Sequence, residues 1–191
     1  MTQTLRFFTI ILWVFVLFAC NSNPTKENAI EIASTPKALK ERITRYEDSL
    51  ASMDPSKQSP AAYNLSQIEL INRLEFYVKT FPQDTYSAEC LFKLHMVFAG
   101  LNAQQKSVAC GDTLLRRFPN YENRSLLLES MASSYDMFIT PRDTAAVRKY
   151  YTMLLTDSRY PSSKKKEILD RLKHLKLTWI EYAQKKQPKN L

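Results

Sequence analysis

The chain has 191 residues, 45% of them hydrophobic and 24% charged, which is enough apolar material for one domain with a packed core. It contains only two glycines, Gly100 and Gly111, which excludes turn-rich all-β folds and the glycine-rich loops that cradle phosphates. The formal net charge is +8 but unevenly placed: residues 20–158 hold 16 basic and 16 acidic side chains, whereas residues 159–191 hold ten basic and three acidic ones.

At the N-terminus, Arg6 precedes an apolar run from Phe7 to Ala19, broken only by Thr9. Those 13 residues fall short of the roughly 17–25 that span a bilayer as a helix, and they suit the core of a signal peptide. The run ends in Leu17-Phe18-Ala19-Cys20, and polar chain follows at once from Asn21. This text resembles the lipobox of bacterial lipoproteins. The resemblance implies cleavage after residue 19, acylation of Cys20 and attachment to a membrane through lipid. Asn21, where an aspartate would retain such a protein at the inner membrane, implies an outer-membrane address facing the periplasm. Read without the resemblance, the same text is a secretory signal with an incidental cysteine. Residues 20–34 are polar and read as a tether.

Helical signals then recur. Thr35-Pro36 is a cap followed by proline at the first helical position, and Leu39, Ile43, Tyr46, Leu50 and Met53 follow on one face at steps of 4, 3, 4 and 3. Ser59-Pro60 repeats the signal before Leu65, Ile68, Leu70, Ile71, Leu74 and Tyr77, and Thr140-Pro141 repeats it again. Phe81-Pro82, Phe118-Pro119 and Tyr160-Pro161 each close one helix and precede another, because proline cannot donate the next hydrogen bond. After the first two pairs the text aligns at a shift of 37, with Leu91 on Leu128, Leu94 on Met131 and Phe98 on Tyr135. The expected helices are 36–53, 61–80, 84–99, 103–117, 121–137, 141–157 and 162–185, with a basic tail at 186–191. Such periods are those of helical-hairpin arrays.

Phe81-Pro82-Gln83-Asp84 before Ser87-Ala88-Glu89-Cys90-Leu91, and Tyr160-Pro161-Ser162-Ser163 before the last helix, resemble units of tetratricopeptide (TPR) arrays. The likeness is to the subclass found in bacterial envelope lipoproteins, including those of the β-barrel assembly and Tol-Pal systems. It implies an all-α fold over residues 35–185: antiparallel helical hairpins stacked as a short TPR-like solenoid with a C-terminal capping helix. It also implies a partner that is another envelope protein.

Chemistry-bearing residues are few. Cys90 and Cys110 mirror each other about a turn at residues 100–102, which allows either a disulfide in an oxidising compartment or two buried thiols. His95 lies near Cys90, and the alternatives there are a nucleophile pair or a packed histidine. No spacing suits a metal, and no catalytic set or cofactor motif is present. Asp48-Ser49-Leu50, Asp112-Thr113-Leu114 and Asp143-Thr144-Ala145 resemble a short bacterial O-glycosylation sequon. In the last helix Ile168, Leu172, Leu175, Trp179 and Tyr182 form an apolar stripe. Lys164, Lys165, Lys166, Arg171, Lys173 and Lys176 cover the rest, either as a solvated face or as a contact for anionic lipid, cell wall or an acidic partner. Nucleic acid is not expected. The sequence therefore reads as a lipid-anchored, non-enzymatic adaptor or scaffold. The alternatives are a structural lipoprotein acting through its basic end, and a small-ligand binder or enzyme near Cys90 and His95.

Overall fold

The computed structural model describes residues 35–186 except 55, 56 and 58. The expected signal peptide, Cys20, the tether at 20–34 and the tail after residue 186 lie outside the described residues. Those described are helical, with no strand among them. The chain divides into two compact units, Met1–Arg42 and Ile43–Leu191. In the first, the Thr35 hydroxyl accepts from the Ala38 amide at 3.2 Å and opens α1 (Pro36–Ala51).

The second unit runs from the rest of α1 through α2 (Pro60–Thr80), α3 (Thr85–Gly100), α4 (Gln104–Arg117) and α5 (Arg124–Ser133), which passes into a π-helical turn at Ser134–Phe138. It ends with α6 (Thr144–Thr156), α7 (Ser162–Lys173) and α8 (Trp179–Lys186). The start signals work locally as expected at α2, where Ser59 accepts from the Ala62 amide at 3.2 Å ahead of Pro60. The two Phe-Pro pairs adopt one conformation. Phe81 (φ −127°, ψ 62°) and Phe118 (φ −128°, ψ 69°) each cap the preceding helix by donating to the carbonyl four residues back. The longer third unit spends its two extra residues on a turn in which the Asp157 carboxylate accepts from the Arg159 amide at 2.9 Å.

Thr140-Pro141 does not start a helix, as the sequence pattern had suggested. It sits in a loop, with a cis bond, and α6 begins at Thr144. Asp143 supplies the cap there, its carboxylate accepting from the Ala145 and Ala146 amides at 2.9 Å each. The helix expected over 162–185 is two helices, broken at 174–178. That break follows from Thr178 and Glu181, which form a reciprocal capping box: the Thr178 amide donates to the Glu181 carboxylate at 2.7 Å, and the Glu181 amide donates to the Thr178 hydroxyl at 3.3 Å.

Neighbours in sequence are neighbours in space. α3 packs on α2 and α4, α6 packs on α5 and α7, and α4 meets α5. The core collects Leu91, Val108, Leu114, Leu127, Leu128 and Met131 with Val147, Tyr150, Leu154 and Ile168. The positions matched by the 37-residue shift are alike in burial for two of three pairs: Leu91, Leu128, Leu94 and Met131 are buried, as is Phe98, while Tyr135 is half-buried and stacks on Tyr150 at 5.5 Å.

Gly111 sets how closely α4 approaches α5. A Cβ there would collide with the Met131 sulfur and press on Leu127 at 3.3 Å. Gly100 faces open space and has no positive φ. Gly111→Ala should therefore destabilise the fold by about 1–3 kcal/mol through overpacking, outweighing its helix-propensity gain. Gly100→Ala should be neutral or stabilising by up to about 1 kcal/mol. Urea denaturation of the two variants, side by side, checks the contrast.

Candidate functional site

One buried carboxylate organises the C-terminal third. Asp136, in the π-helical turn, is 4% exposed and receives two arginines. Arg171 of α7, 2% exposed, grips it bidentately, Nε to Oδ2 and Nη2 to Oδ1, both at 2.7 Å. Arg142 adds a hydrogen bond from Nε to Oδ1 at 2.8 Å, and its Nη2 stands in ion-pair contact with the same oxygen at 2.6 Å. The remaining guanidinium donors reach the break after α7: Arg171 to the carbonyls of His174 (2.9 Å) and Leu177 (3.0 Å), Arg142 to that of Leu175 (2.9 Å). Side-chain donors thus satisfy the carbonyls left open where α7 ends.

The folded-back α8 is held by α7. Tyr182 donates to Asp170 at 2.8 Å and Lys186 pairs with the same carboxylate at 2.8 Å. The bonds from Lys186 and Tyr182 hold the Asp170 carboxyl down at about 2. The Arg171 guanidinium also lies over the rings of Tyr182 (4.8 Å) and Trp179 (5.7 Å).

Between α5, α7 and α8 this arrangement leaves a cleft of about 490 Å³. Its lining includes Glu129, Ser133, Tyr151, Tyr160, Glu167 and Trp179. Tyr151 and Tyr160 are buried, and burial pushes both hydroxyls up to about 12, so they stay protonated. Trp179 is 38% exposed. Lys164 stands 3.6 Å from Glu129 and over the Tyr160 ring at 5.9 Å. The volume falls within the ~300–1,000 Å³ of small-ligand sites.

A second polar node lies in the core. His95 of α3 is fully buried and bridges α4 and α5. Ser107 Oγ donates to the His95 carbonyl at 2.8 Å, so it accepts from Nδ1–H at 2.8 Å, and Nε2 accepts from the Ser130 hydroxyl at 2.8 Å. Both ring nitrogens are engaged, and neither is left for Cys90. Burial pushes the Cys90 thiol up to about 12 and the Cys110 thiol up to about 11, which disfavours thiolate at either.

Cys90 and Cys110 are free thiols. The α3–α4 turn is centred on Asn102, at φ 58°, rather than on residue 100, so the level of Cys90 faces that of Leu114. The two cysteines are offset by about one helical turn, ~6 Å. The basic surface expected on the last helix is also redistributed. Arg171 is not on it, being buried on Asp136. Lys164 pairs with Glu129, and Lys165 donates to the carbonyls of Leu155 (2.8 Å) and Asp157 (3.1 Å) at the end of α6. Lys166, Lys173 and Lys176 are exposed. Among the sequon-like aspartates, Asp112 accepts the Tyr150 hydroxyl and Asp143 caps α6.

Asp136, Arg142, Ser107 and Ser130 had no signal in the sequence, since their partners lie up to 35 residues away. The outer face of α2 is a further surprise. Leu65, Ile68 and Phe76 are 67%, 48% and 53% exposed, while Leu70, Ile71, Leu74 and Tyr77 on the same helix are buried.

Among the described residues no His, Cys, Asp or Glu group could hold a metal, and no helix is long and apolar enough to cross a membrane. No family model, curated protein or solved structure matches this chain.

Asp136→Asn should cost about 3–5 kcal/mol, because it leaves two guanidiniums facing a neutral amide at a buried site. The fall in urea midpoint measures it. The His95 node sets a pH dependence. Burial lowers its pKa below the usual 6.5, against the bond to the Ser107 carbonyl. The unfolded chain therefore binds the proton first, and stability present above pH 6.5 is lost as pH falls below it. Urea midpoints taken at stepped pH should show that loss in the wild type and a smaller one in His95→Gln.

Proposed function

We propose that this chain is a lipid-anchored protein of the bacterial cell envelope, tethered through Cys20 to the outer membrane on its periplasmic side. In this reading it is a TPR-like adaptor or scaffold that binds another envelope protein and catalyses no reaction. The lipobox-like text supports the anchor. The pairings α3–α4 and α5–α6, and the matching caps at Phe81 and Phe118, support helical hairpins stacked in succession. α7 and α8 then close the stack.

The observation that carries the reading is the outer face of α2. On the solvent side of α2, Leu65, Ile68 and Phe76 stand exposed among Asn72, Glu75 and Lys79, and exposed apolar groups rimmed by polar ones suit an interaction site. Leu65, Ile68 and Phe76 fall at steps of 3 and 8, on one side of the helix. The partner segment that fits them is an apolar helix face.

One observation favours a second reading, contact with anionic cell wall or lipid. Arg148, Lys149 and Lys176 ring a shallow concavity with Thr144, Thr152 and Leu175. Its cations suit phosphate or carboxylate groups.

In cells, Cys20→Ala should move the protein from the membrane to the soluble fraction. Cross-linking and pull-down should recover a specific protein with the wild type and lose it with Leu65→Ser/Ile68→Ser/Phe76→Ser. Exposed substitutions of this kind should alter stability by little more than about 0.5 kcal/mol each. An unchanged set of partners would sink the adaptor reading. Salt-sensitive retention on isolated cell wall, lost in Arg148→Glu/Lys176→Glu, would favour the second.

A further inference from the structure

We propose that the cleft between α5, α7 and α8 is a binding site for a neutral saccharide, of a size to take one or two sugar rings. The inference is independent of the adaptor reading, which rests on α2.

Charge decides the class first. The cations at the cleft are already matched: Lys164 to Glu129 at 3.6 Å, Lys186 to Asp170 at 2.8 Å and Arg171 to Asp136 at 2.7 Å. An anionic ligand would have to break one of these pairs and would meet the exposed Glu167 carboxylate. A cationic ligand would meet three like charges, Lys164, Arg171 and Lys186, which lie over the rings of Tyr160, Trp179 and Tyr182. A neutral ligand meets neither cost.

Shape and polarity narrow it further. Tyr151, Tyr160 and Tyr182 are buried, and Trp179, at 38% exposed, is the one of the four that reaches solvent. The Arg171 guanidinium at 5.7 Å orients the indole, and Tyr182 braces it at 5.8 Å. The rest of the lining is polar: the Glu129 and Glu167 carboxylates, the Ser133 hydroxyl, and the Tyr160 and Tyr151 hydroxyls, which are paired with Glu129 and Ser133. A purely apolar ligand would strip these groups of water without replacing their hydrogen bonds. A pyranose matches both features, with one C–H face to set against Trp179 and a rim of hydroxyls that can donate to the Glu129 and Glu167 carboxylates. The pre-paired charges keep the site ready-made, which lowers the ordering cost of binding.

The test uses the full chain in a sugar-free detergent, titrated in a calorimeter with maltotriose, cellotriose and tri-N-acetylchitotriose. Trigalacturonate and a proline-rich peptide serve as the charged and peptide arms. At least one neutral trisaccharide should bind with a Kd below about 1 mM. Trp179→Ala should weaken it at least about tenfold, Trp179→Phe should stay within a few-fold, and Glu167→Ala should lose several-fold. Trp179 and Glu167 are partly or largely solvent-facing, and circular dichroism confirms that each variant folds. The proposal is overturned if no neutral trisaccharide binds, if Trp179→Ala binds as tightly as the wild type, or if only the acidic sugar or the peptide binds.

Discussion

A carboxylate with two guanidiniums on it, out of water, is the constraint on which the C-terminal third depends. Isolated, Asp136 would be costly to bury, and so would Arg171. Their bidentate pairing offsets much of that cost, and other guanidinium donors of Arg171 and Arg142 find backbone carbonyls. These bonds reach the carbonyls of His174, Leu175 and Leu177, so one ion cluster ties the π-helical turn, the loop before α6 and the end of α7 to a single geometry. α8 inherits its position from this cluster, since Arg171 also lies against Trp179 and Tyr182. The cleft wall is therefore a consequence of a salt bridge made on its far side.

The middle of the chain is held differently. His95 uses two hydrogen-bonding nitrogens to join α4 and α5 to α3 without placing a charge in the core. That suits a region where helices approach closely, as at Gly111 against Leu127 and Met131. Neutral bonds there hold register without a desolvation penalty for an ion. Toward the C-terminal end, where helices terminate and carbonyls stand open, a charged cluster has more acceptors to satisfy.

This division explains what was legible in the sequence. Helix starts announced by a cap and a proline, and helix ends announced by Phe-Pro, depend on residues within four positions of each other, and those were readable at Ser59-Pro60, Phe81 and Phe118. The all-helical class followed from them and from the scarcity of glycine. Thr140-Pro141 carried the same text but lost the helix start to Asp143, a better acceptor placed two residues later. The apolar period through Ile168, Leu172, Leu175, Trp179 and Tyr182 runs unbroken in the sequence across a real break at 174–178, so period alone did not mark it. The signal that marked the break was Thr178-Trp179-Ile180-Glu181, a capping box inside an apolar run. The cleft itself was not readable, because it needs Glu129, Tyr160 and Trp179 from three places in the chain to converge. Period also misjudged α2, where Leu65 and Ile68 belong to the apolar set but not to the buried face.

The C-terminal excess of positive charge, the strongest compositional feature, changes meaning once each side chain is placed. Arg159 donates to the Tyr121 carbonyl and to Asp157, Lys165 to two carbonyls at the end of α6, and Arg171 to Asp136 and two more carbonyls. Lys164 and Lys186 answer Glu129 and Asp170. Five of the ten basic residues in 159–191 are thus committed to helix ends and to acids of the same fold. Cations near helix C-termini stabilise the open carbonyls there, and a chain with short connections and two glycines has few left-handed residues to do that work. Lys165 and Arg171 in this way take the place of glycine caps at the ends of α6 and α7. The field that reaches solvent is smaller than the formal charge suggests, and it is centred on Lys166, Lys173, Lys176 and Lys185 rather than spread along a uniform basic helix.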